Sequence, residues 1–248
     1  MAKYDKAITI FAPDGNLFQV QYAFEAVNRG SATVGIKGKN CVVLAVEKKT
    51  TAALQDPHTI RKILQVDENI MMTFAGLQAD ARVLVDKARL EAQSFRFNLE
   101  DEPTLEYIAR FVAETQQSYT QKGGVRPFGI STFMIGIDNN EPKLYVTEPS
   151  GAYSLWKANA IGRNSKVLRE YLEKHHTDEL TNEQTLKLAI ETLLEVVESS
   201  KNIEICVMNG PKAFKMIPDE QIAEIVKQIE KEREDEAAAK QGGAAAKQ

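Results

Sequence analysis

The sequence predicts a single α+β domain in which two antiparallel β-sheets stack face to face and helices cover both outer faces, a four-layer αββα sandwich. Strand-like blocks alternate with pairs of helical stretches along the chain. The blocks are short and follow one another through hairpin-like turns, which favours antiparallel sheets. Several blocks are apolar at consecutive positions, as expected of sheets that are covered on both faces. The chain of 248 residues is long enough for one large core, and no linker composition interrupts its interior.

An N-terminal helix is predicted over residues 17–30. It follows a Pro13-Asp14-Gly15 turn and ends near Gly30, a residue type that commonly ends helices. The apolar stripe of this helix consists of Val20, Ala23, Phe24 and Val27. Residues 1–12 carry too little apolar mass to fold alone, so we expect contacts with neighbouring chains to order them.

The strand-like blocks fall into three groups that are separated by two pairs of helices. The blocks are residues 32–36, 41–46, 70–75, 130–137, 144–147, 152–156, 203–208 and 213–217. The helices between them centre on residues 81–88, 105–112, 165–173 and 182–198. A capping box from Thr181 to Gln184 precedes the last of these helices.

A final helix is predicted from its stripe of apolar residues, with Pro218 in its first turn. The stripe consists of Ile222, Ile225, Val226 and Ile229. Residues 231–248 contain no apolar residue larger than Ala and cannot bury a face. We therefore predict one domain over residues 1–230, followed by a charged helix end and a disordered tail.

The composition predicts a soluble intracellular protein. The 31 Lys and Arg residues against 35 Asp and Glu residues give a net charge of −4, which is not the basic footprint of a nucleic-acid-binding protein. No apolar run reaches the about 18–20 residues of a membrane span, and the first residues lack a signal-peptide core. Cys41 and Cys206 lie in apolar runs and are expected to be buried thiols. With three histidines, they show no metal-ligand spacing, so we expect no metal and no cofactor.

The stretch before the first strand closely resembles the N-terminal signature of proteasome α-type subunits. In that family a Tyr-Asp-Arg motif, a Pro-Asp-Gly turn and a Gln-Val-x-Tyr-Ala helix occur in this order. This chain has Tyr4-Asp5-Lys6, the Pro13–Gly15 turn and Gln19-Val-Gln-Tyr-Ala23. The resemblance continues through residues 74–82, 119–129 and 149–162, and it covers residues 4 to 230. The segment 150–163 is most similar to the eukaryotic α4 type. The family fold is the αββα sandwich of N-terminal nucleophile hydrolases.

The resemblance implies a non-catalytic subunit of the 20S proteasome core particle. Such a subunit scaffolds the α ring, gates the entry of unfolded polypeptide and docks regulatory-particle ATPases or other activators. Its partners would be neighbouring α subunits and the β ring, whose subunits carry the threonine protease activity. The implied process is ubiquitin-dependent and ubiquitin-independent protein degradation in the cytoplasm and nucleus, without nucleic acid or membrane.

The resemblance also implies roles for individual residues. The residues that match the cluster holding the gating arms are Tyr4, Asp5, Pro13 and Tyr22. The residues that match the pocket for activator C-termini are Lys62, Gly30 and Leu77. In that pocket the Lys62 ammonium would pair with a terminal carboxylate, although a solvated lysine at a strand edge is the alternative. The predicted subunit interface consists of Val20, Phe24 and Val27, which we also expect to contact the chain's own sheet.

Two residues depart from the family pattern at these sites. Lys6 stands where Arg is usual, and a lysine lacks the bidentate fork of a guanidinium. Gln21 stands where an acidic residue is common. Gating contacts through Lys6 and the charge of the activator pocket are therefore expected to differ here.

Two other functions stay open from the sequence. Ser31 matches the nucleophile position of the hydrolases, Glu47 lies near a supporting carboxylate position and Lys62 near a supporting lysine position. Cleavage after Gly30 would free Ser31 as an N-terminal nucleophile, whereas the amide nitrogen of an internal Ser31 is no base. The thirty preceding residues carry the α-type features, which argues against their removal. The remaining alternative is a free-standing binding or chaperone-like module outside any ring.

Three further motifs have ordinary structural interpretations. The charged residues Asp80, Arg82, Asp86 and Arg89 predict a solvated helix face. The segment from Gly162 to Ser165 resembles a phosphate-holding turn, but a capped helix start is the favoured interpretation. His175 and His176 are expected to end a helix, where a cation suits the carbonyl dipole.

Overall fold

The computed structural model describes residues 10–48, 54, 61–197 and 203–245, with side chains up to residue 233 in the last helix. Within that part of the chain, helices and strands alternate in groups. The helices are α1 (Phe18–Asn28), α2 (Gln78–Leu99), α3 (Leu105–Gln121), α4 (Ser165–His175), α5 (Asn182–Leu194) and α6 (Asp219–Ala245). The strands are β1 (Thr33–Lys37), β2 (Val42–Glu47), β3 (Ile63–Asp67), β4 (Ile70–Gly76), β5 (Ile130–Asp138), β6 (Glu141–Thr147), β7 (Tyr153–Leu155), β8 (Ala158–Ile161), β9 (Ile203–Met208) and β10 (Phe214–Met216).

The strands form two five-stranded sheets. One sheet has the order β10-β9-β2-β1-β8 and the other the order β3-β4-β5-β6-β7. Every pairing between these strands is antiparallel. The β7–β8 connection carries the chain from one sheet to the other, so the two edge strands lie on the same side of the sandwich.

Three apolar clusters occupy the three spaces between four layers. The first lies between the β1-containing sheet and α4, α5 and α6. The second lies between the β4-containing sheet and helices α2 and α3. The third lies between the two sheets and includes Phe133, Leu144 and Leu44. The predicted four-layer αββα sandwich is therefore confirmed.

Strand β2 shows why the strand sequences are apolar at consecutive positions. Val42, Leu44 and Val46 point into the space between the sheets, whereas Val43 and Ala45 pack under the helices on the outer face. Alternate residues of a strand face opposite sides of its sheet. Because both sides are buried, both sets of residues must be apolar.

Two strands were not predicted from the sequence. Strand β3 was missed because Gln65 and Asp67 interrupt its apolar pattern, and its register with β4 shifts between these residues. Asp67 is nevertheless buried. Its carboxylate is satisfied there because it accepts a hydrogen bond from Arg96 Nη2 at 2.8 Å. Strand β8 is a short Ala-Asn-Ala-Ile segment that pairs only with β1 in its sheet, so pairing with β1 rather than local propensity makes it a strand.

The helix ends agree in part with those predicted from the sequence. The predicted capping box is confirmed, because Thr181 Oγ1 accepts from Gln184 N and Gln184 Oε1 accepts from Thr181 N. Helix α4 ends at His175, as expected. Helix α6 continues to Ala245, so the charged helix end that was expected after residue 230 takes up most of residues 231–248. Ala, Glu, Lys, Gln and Arg dominate this segment and have high helix propensity, so the backbone can stay helical without burying a face.

The two cysteines are free and buried, as expected. Burial raises the pKa of the Cys206 thiol to about 12 and also raises the pKa of Cys41. No helix among the described residues is long and apolar enough to cross a membrane.

Truncation of the inter-sheet core is expected to destabilise the chain strongly. Phe133→Ala removes a fully buried ring, and we expect the free energy of unfolding to fall by about 3–5 kcal/mol. The measurement is urea denaturation of the purified chain. The matched control is Phe97→Ala, because this ring is 86% exposed and its loss should cost less than about 0.5 kcal/mol. Equal losses for the two variants would contradict the core assignment.

Candidate functional site

Ser31 lies at the entry to β1 and is 3% exposed. Its Oγ accepts a hydrogen bond from Lys62 Nζ at 3.2 Å. Its carbonyl accepts from Thr33 Oγ1 at 3.4 Å. The serine and the lysine that match the hydrolase positions in the sequence are therefore in direct contact in the fold.

Lys62 is buried rather than a solvated lysine at a strand edge. It is 8% exposed, and its Nζ lies 5.1 Å from the centroid of the Phe74 ring. Its backbone is fixed on both sides, because the Lys62 N–H donates to Glu204 Oε2 at 3.1 Å and the Lys62 carbonyl accepts from Thr73 Oγ1 at 2.9 Å. Burial raises the pKa of Glu204, although the N–H of Lys62 opposes that shift. The ammonium group is thus held at a defined place beneath the surface.

The Glu47 carboxylate holds two segments of the chain together. Its Oε2 accepts from the backbone N–H of Ala32 at 3.1 Å, and its Oε1 accepts from Arg163 Nη2 at 2.5 Å. The carboxylate therefore joins the start of β1 to the turn before α4. Arg163 was not predicted as part of this group, and the Gly-Arg-Asn-Ser turn in which it lies was its only signal in the sequence.

The arrangement around Ser31 cannot act as an N-terminal nucleophile. That chemistry needs a free α-amine to take the proton of the hydroxyl, and the nitrogen of Ser31 is an amide joined to Gly30. The Gly30 carbonyl accepts from the backbone N–H of Arg163 at 3.0 Å. The segment before Ser31 is thus tied into the fold.

Glycines allow four backbone segments to meet beside Ser31. A Cβ on Gly30 would lie 2.3 Å from Gly76 N, and a Cβ on Gly162 would lie 2.2 Å from the Ser31 carbonyl oxygen. A Cβ on Gly76 would lie 2.1 Å from the carbonyl oxygen of Gly129. We call Gly30, Gly76, Gly129 and Gly162 the glycine junction. Helix α1 ends at Asn28 with Arg29 as its C-cap, so Gly30 follows the helix as expected, and the residue is also needed for this close approach.

The turn from Gly162 to Ser165 belongs to the same junction. Gly162 has φ +86° and Asn164 has φ +55°, and the Asn164 side chain makes no cap hydrogen bond. The N–H of Arg163 is occupied by the Gly30 carbonyl. The turn therefore anchors the chain before β1. It is neither a phosphate-holding turn nor a helix start that is capped by a side chain.

An ion pair links α2 to the loop before β5. Arg126 Nη1 and Nη2 donate to Asp80 Oδ2 and Oδ1 at 2.6 and 2.7 Å, and the N–H of Gly129 donates to Asp80 Oδ2 at 3.0 Å. Burial acts to raise the pKa of Asp80, but the bonds from Arg126 and Gly129 outweigh it and hold the pKa below its ordinary value. Asp80 is 8% exposed, so the prediction that it belongs to a solvated helix face is wrong.

A groove of about 380 Å³ runs beside the site. Phe74, whose ring lies under Lys62 Nζ, forms part of its floor together with Leu64 and Val85, and Arg61 and Arg82 stand at its rim. Among the described residues, no group of three or more His, Cys, Asp or Glu side chains could hold a metal ion.

Comparison with known proteins places the chain in a family. Residues 27–208 match the family described as "Proteasome subunit", and residues 4–26 match the N-terminal signature of A-type proteasome subunits. The chain belongs to the proteasome subunit family. It is an α-type member of that family, and α-type subunits form the non-catalytic outer ring of the 20S core particle, whereas the catalytic activity resides in β subunits.

The curated relatives extend over nearly the whole chain. The chain is 54% identical over 235 residues to the alpha type-7 proteasome subunit of Dictyostelium discoideum, covering 94% of each chain. It is 55% identical over 248 residues to the alpha type-7-A proteasome subunit of Arabidopsis thaliana, covering 98% of this chain and 99% of the relative. It is 55% identical over 243 residues to the alpha type-7 proteasome subunit of Solanum lycopersicum, covering 97% and 93%.

Of the four residues expected at the gate, only Pro13 and Tyr22 lie in the described part of the chain. Tyr4 and Asp5, like the departure Lys6, lie outside the described residues. Pro13 is exposed at the second position of a turn in which the Gly15 N–H donates to the Ala12 carbonyl at 2.8 Å. Tyr22 is 48% exposed, and its ring stacks on Phe18 with centroids 6.3 Å apart.

The three residues expected at the activator pocket lie at one end of the sandwich. Gly30 packs against Gly76, and Leu77 follows Gly76 in the chain and is 45% exposed. Lys62 reaches the same end through its bond to Ser31. The fold thus brings together residues that are separated by up to 47 positions, since 77 − 30 = 47.

The expected subunit interface needs one correction. Val27 is 4% exposed and packs into the inter-sheet cluster. Its side chain is buried by the chain's own sheets, so Val27 is not available to a neighbouring subunit. Val20 and Phe24 are half-buried and remain candidates for contact.

A methyl group at Gly30 is expected to disturb the glycine junction. Gly30→Ala places a Cβ within 2.3 Å of a backbone nitrogen, and such overpacking typically costs about 1–3 kcal/mol. The measurement is the urea midpoint of the purified chain. Gly123→Ala is the matched control, because a Cβ there meets nothing within 4 Å. Similar midpoints for the two variants would show that the junction tolerates a side chain.

The Asp80–Arg126 pair predicts a pH-dependent contribution to stability. The folded pKa of Asp80 is lowered, so the pair stabilises the chain above the ordinary carboxyl pKa. That contribution is lost as the pH falls from 3.8 through the folded pKa, because the unfolded carboxyl binds its proton first. Asp80→Asn should cost about 1.5–3 kcal/mol at pH 7, and the gap to the native chain should close in acid.

The measurement for this prediction is the free energy of unfolding in urea between pH 7 and pH 3. Asp178→Asn is the control, because Asp178 forms an exposed pair with Lys157 at 2.7 Å and such pairs contribute less than about 1 kcal/mol. A gap for Asp80→Asn that does not narrow at all as the pH falls below the ordinary carboxyl pKa of 3.8 would contradict the role of the charged carboxylate.

Proposed function

We propose that this α-type subunit gates the entry of unfolded polypeptide and docks activators at the ring surface. The observation that supports docking is the gathering of Lys62, Gly30 and Leu77 at one end of the sandwich. Lys62 supplies a fixed positive charge there, and Leu77 supplies an exposed apolar contact. A chain terminus ending in a carboxylate after an apolar side chain would suit both features.

The neighbouring subunit completes the pocket in this proposal. Lys62 is 8% exposed in the single chain, so a docking tail reaches its ammonium only at the rim. An adjacent subunit would supply the facing wall. The charge at this site comes from Lys62 rather than from Gln21, which is exposed on α1 and neutral.

Loss of the Lys62 charge is expected to weaken activation. In particles that contain Lys62→Ala, activator-stimulated peptide hydrolysis should fall about tenfold if a charge-assisted bond of about 1.5 kcal/mol is lost. Basal hydrolysis and particle assembly on native gels should be unchanged. Lys227→Ala on the exposed face of α6 is the matched control. Undiminished stimulation in the Lys62→Ala particle would remove this residue from activator docking.

The gating role is supported by the arm that precedes the site. Helix α1 is fixed to the sandwich through Val27 and Gly30, which gives the proposed arm a rigid base. We place the arm at residues 1–12 and the domain at residues 1–230, with ring contacts through Val20 and Phe24. Deletion of the arm should raise basal peptide hydrolysis by the particle without activator, whereas unchanged basal hydrolysis would count against gating by this chain.

The position in the ring and the cellular location are part of the same proposal. The segment 150–163 favours the α4 type, while the relatives carry the name alpha type-7 and do not support that assignment by name. Cross-linking to ring neighbours in the assembled particle would decide the position. We expect the chain in both cytoplasm and nucleus, and cell fractionation would show whether either compartment lacks it.

A further inference from the structure

The turn after β9 contains the one asparagine of the sequence that is followed by glycine, Asn209. The Gly210 carbonyl accepts from the Ala213 N–H at 3.0 Å, with Pro211 at the second position and Lys212 at φ +59°. This is the pattern of a type II turn. Asn209 is exposed and therefore stands at the entry to a tight connection between β9 and β10.

An asparagine that precedes glycine can lose its side-chain amide without an enzyme. The backbone nitrogen of the glycine attacks the side-chain carbonyl carbon and closes a succinimide ring. The amide nitrogen leaves with the glycine N–H proton as ammonia. Water then opens the ring at either carbonyl, which leaves aspartate or isoaspartate. Glycine suits the attacking position because no Cβ restricts its backbone, and asparagine is among the thermolabile residues.

Both reacting groups of this turn are free in the fold. Within the described part of the chain, the Asn209 side chain makes no hydrogen bond, and the Gly210 N–H has no acceptor. Among the atoms that the structure describes, a Cβ at position 210 would meet only the Ala213 Cβ, at 3.7 Å. The turn therefore also has room for the ring that forms in the reaction.

A second dipeptide of this kind has the same groups engaged. Asp14 precedes Gly15 in the turn before α1. There the Gly15 N–H donates to the Ala12 carbonyl at 2.8 Å, and the Asp14 carboxylate accepts from the Asn16 N–H at 3.3 Å. Hydrogen bonds from Asn16 hold the pKa of Asp14 below its ordinary value. The carboxylate stays ionised at neutral pH and has no leaving group, so this turn is protected.

We propose that Asn209 is a site of spontaneous deamidation, which converts it through a succinimide with Gly210 into aspartate and isoaspartate. Water is the only co-reactant, and ammonia is the leaving group. The site does not depend on the ring function proposed above, because the reaction needs only the turn itself.

The modification changes a turn that contacts the connection between β3 and β4. The Lys212 N–H donates to Asn69 Oδ1 at 3.2 Å, and Lys212 Nζ lies 3.0 Å from Glu68 Oε2. Deamidation adds a negative charge to this turn, and isoaspartate adds a carbon to its main chain. Strand β10 has three residues and pairs only with β9 in its sheet. Hydrogen exchange at residues 214–216 should therefore rise in the deamidated chain, and unchanged exchange would contradict this effect.

The first test follows the mass of residue 209 in the full chain. The purified chain is incubated at neutral pH in water enriched in heavy oxygen, digested with trypsin and analysed as the peptide 202–212. Fragment ions should place solvent oxygen at position 209, in separable aspartate and isoaspartate forms. The synthetic peptide 202–212 gives the unrestrained rate, and the folded chain should react within about tenfold of it, since surface turns are mobile. A folded chain that keeps Asn209 while the peptide deamidates would overturn the proposal.

The second test removes the attacking glycine and keeps the asparagine. Gly210→Ala should lower the rate at Asn209 about tenfold or more, because the added Cβ restricts the backbone of residue 210. The open space there should leave the chain folded. Gly123→Ala is the matched control, since its Cβ meets nothing within 4 Å, and it should react like the native chain. Equal rates in Gly210→Ala and the native chain would overturn attack by the Gly210 nitrogen.

The third test uses Asp14 as an internal control. Each site is compared with its own rate in urea, where the fold imposes no restraint. Folding should slow the reaction at Asn209 little, whereas it should slow isoaspartate formation at Asp14 about tenfold or more, because local opening must first release the Gly15 N–H. Equal slowing at both sites would show that the free groups of the Asn209 turn do not decide its reactivity, and would overturn the proposal.

Discussion

The close approach of backbone segments at the glycine junction is the constraint on which the rest of this site depends. Gly30, Gly76 and Gly162 bring the end of α1, the end of β4 and the turn before α4 to distances that no side chain would permit. The Gly30 carbonyl then accepts from Arg163, and Glu47 binds both Arg163 and the start of β1. The N-terminal helix is thereby fixed to the two sheets.

This constraint also explains how residues at hydrolase-like positions hold the fold together. Ser31 and Lys62 keep contact, but the nitrogen of Ser31 is an amide joined to Gly30, and the junction holds the Gly30 carbonyl in place. Glu47 then positions the backbone at Ala32, whereas the Lys62 ammonium donates to the Ser31 hydroxyl.

The site was predictable from the sequence only where local pattern carried the information. The Pro13–Gly15 turn and the end of α4 follow from residue types that act within a few positions. The Asp80–Arg126 pair joins residues 46 positions apart, so helical spacing alone assigned Asp80 to a solvated face. Val27 was expected at a subunit interface because an apolar stripe does not reveal whether its own sheet or a neighbour covers it.

The sequence by itself determined the order of elements, the four-layer sandwich and the α-type family, because these depend on period, turn chemistry and contiguous motifs. The tertiary structure decided which strands lie at the edges, that β3 and β8 are strands at all, and which glycines carry backbone contacts. It also decided that Lys62 is buried against Ser31. These features depend on distances between segments remote in the chain, and no local pattern encodes such distances.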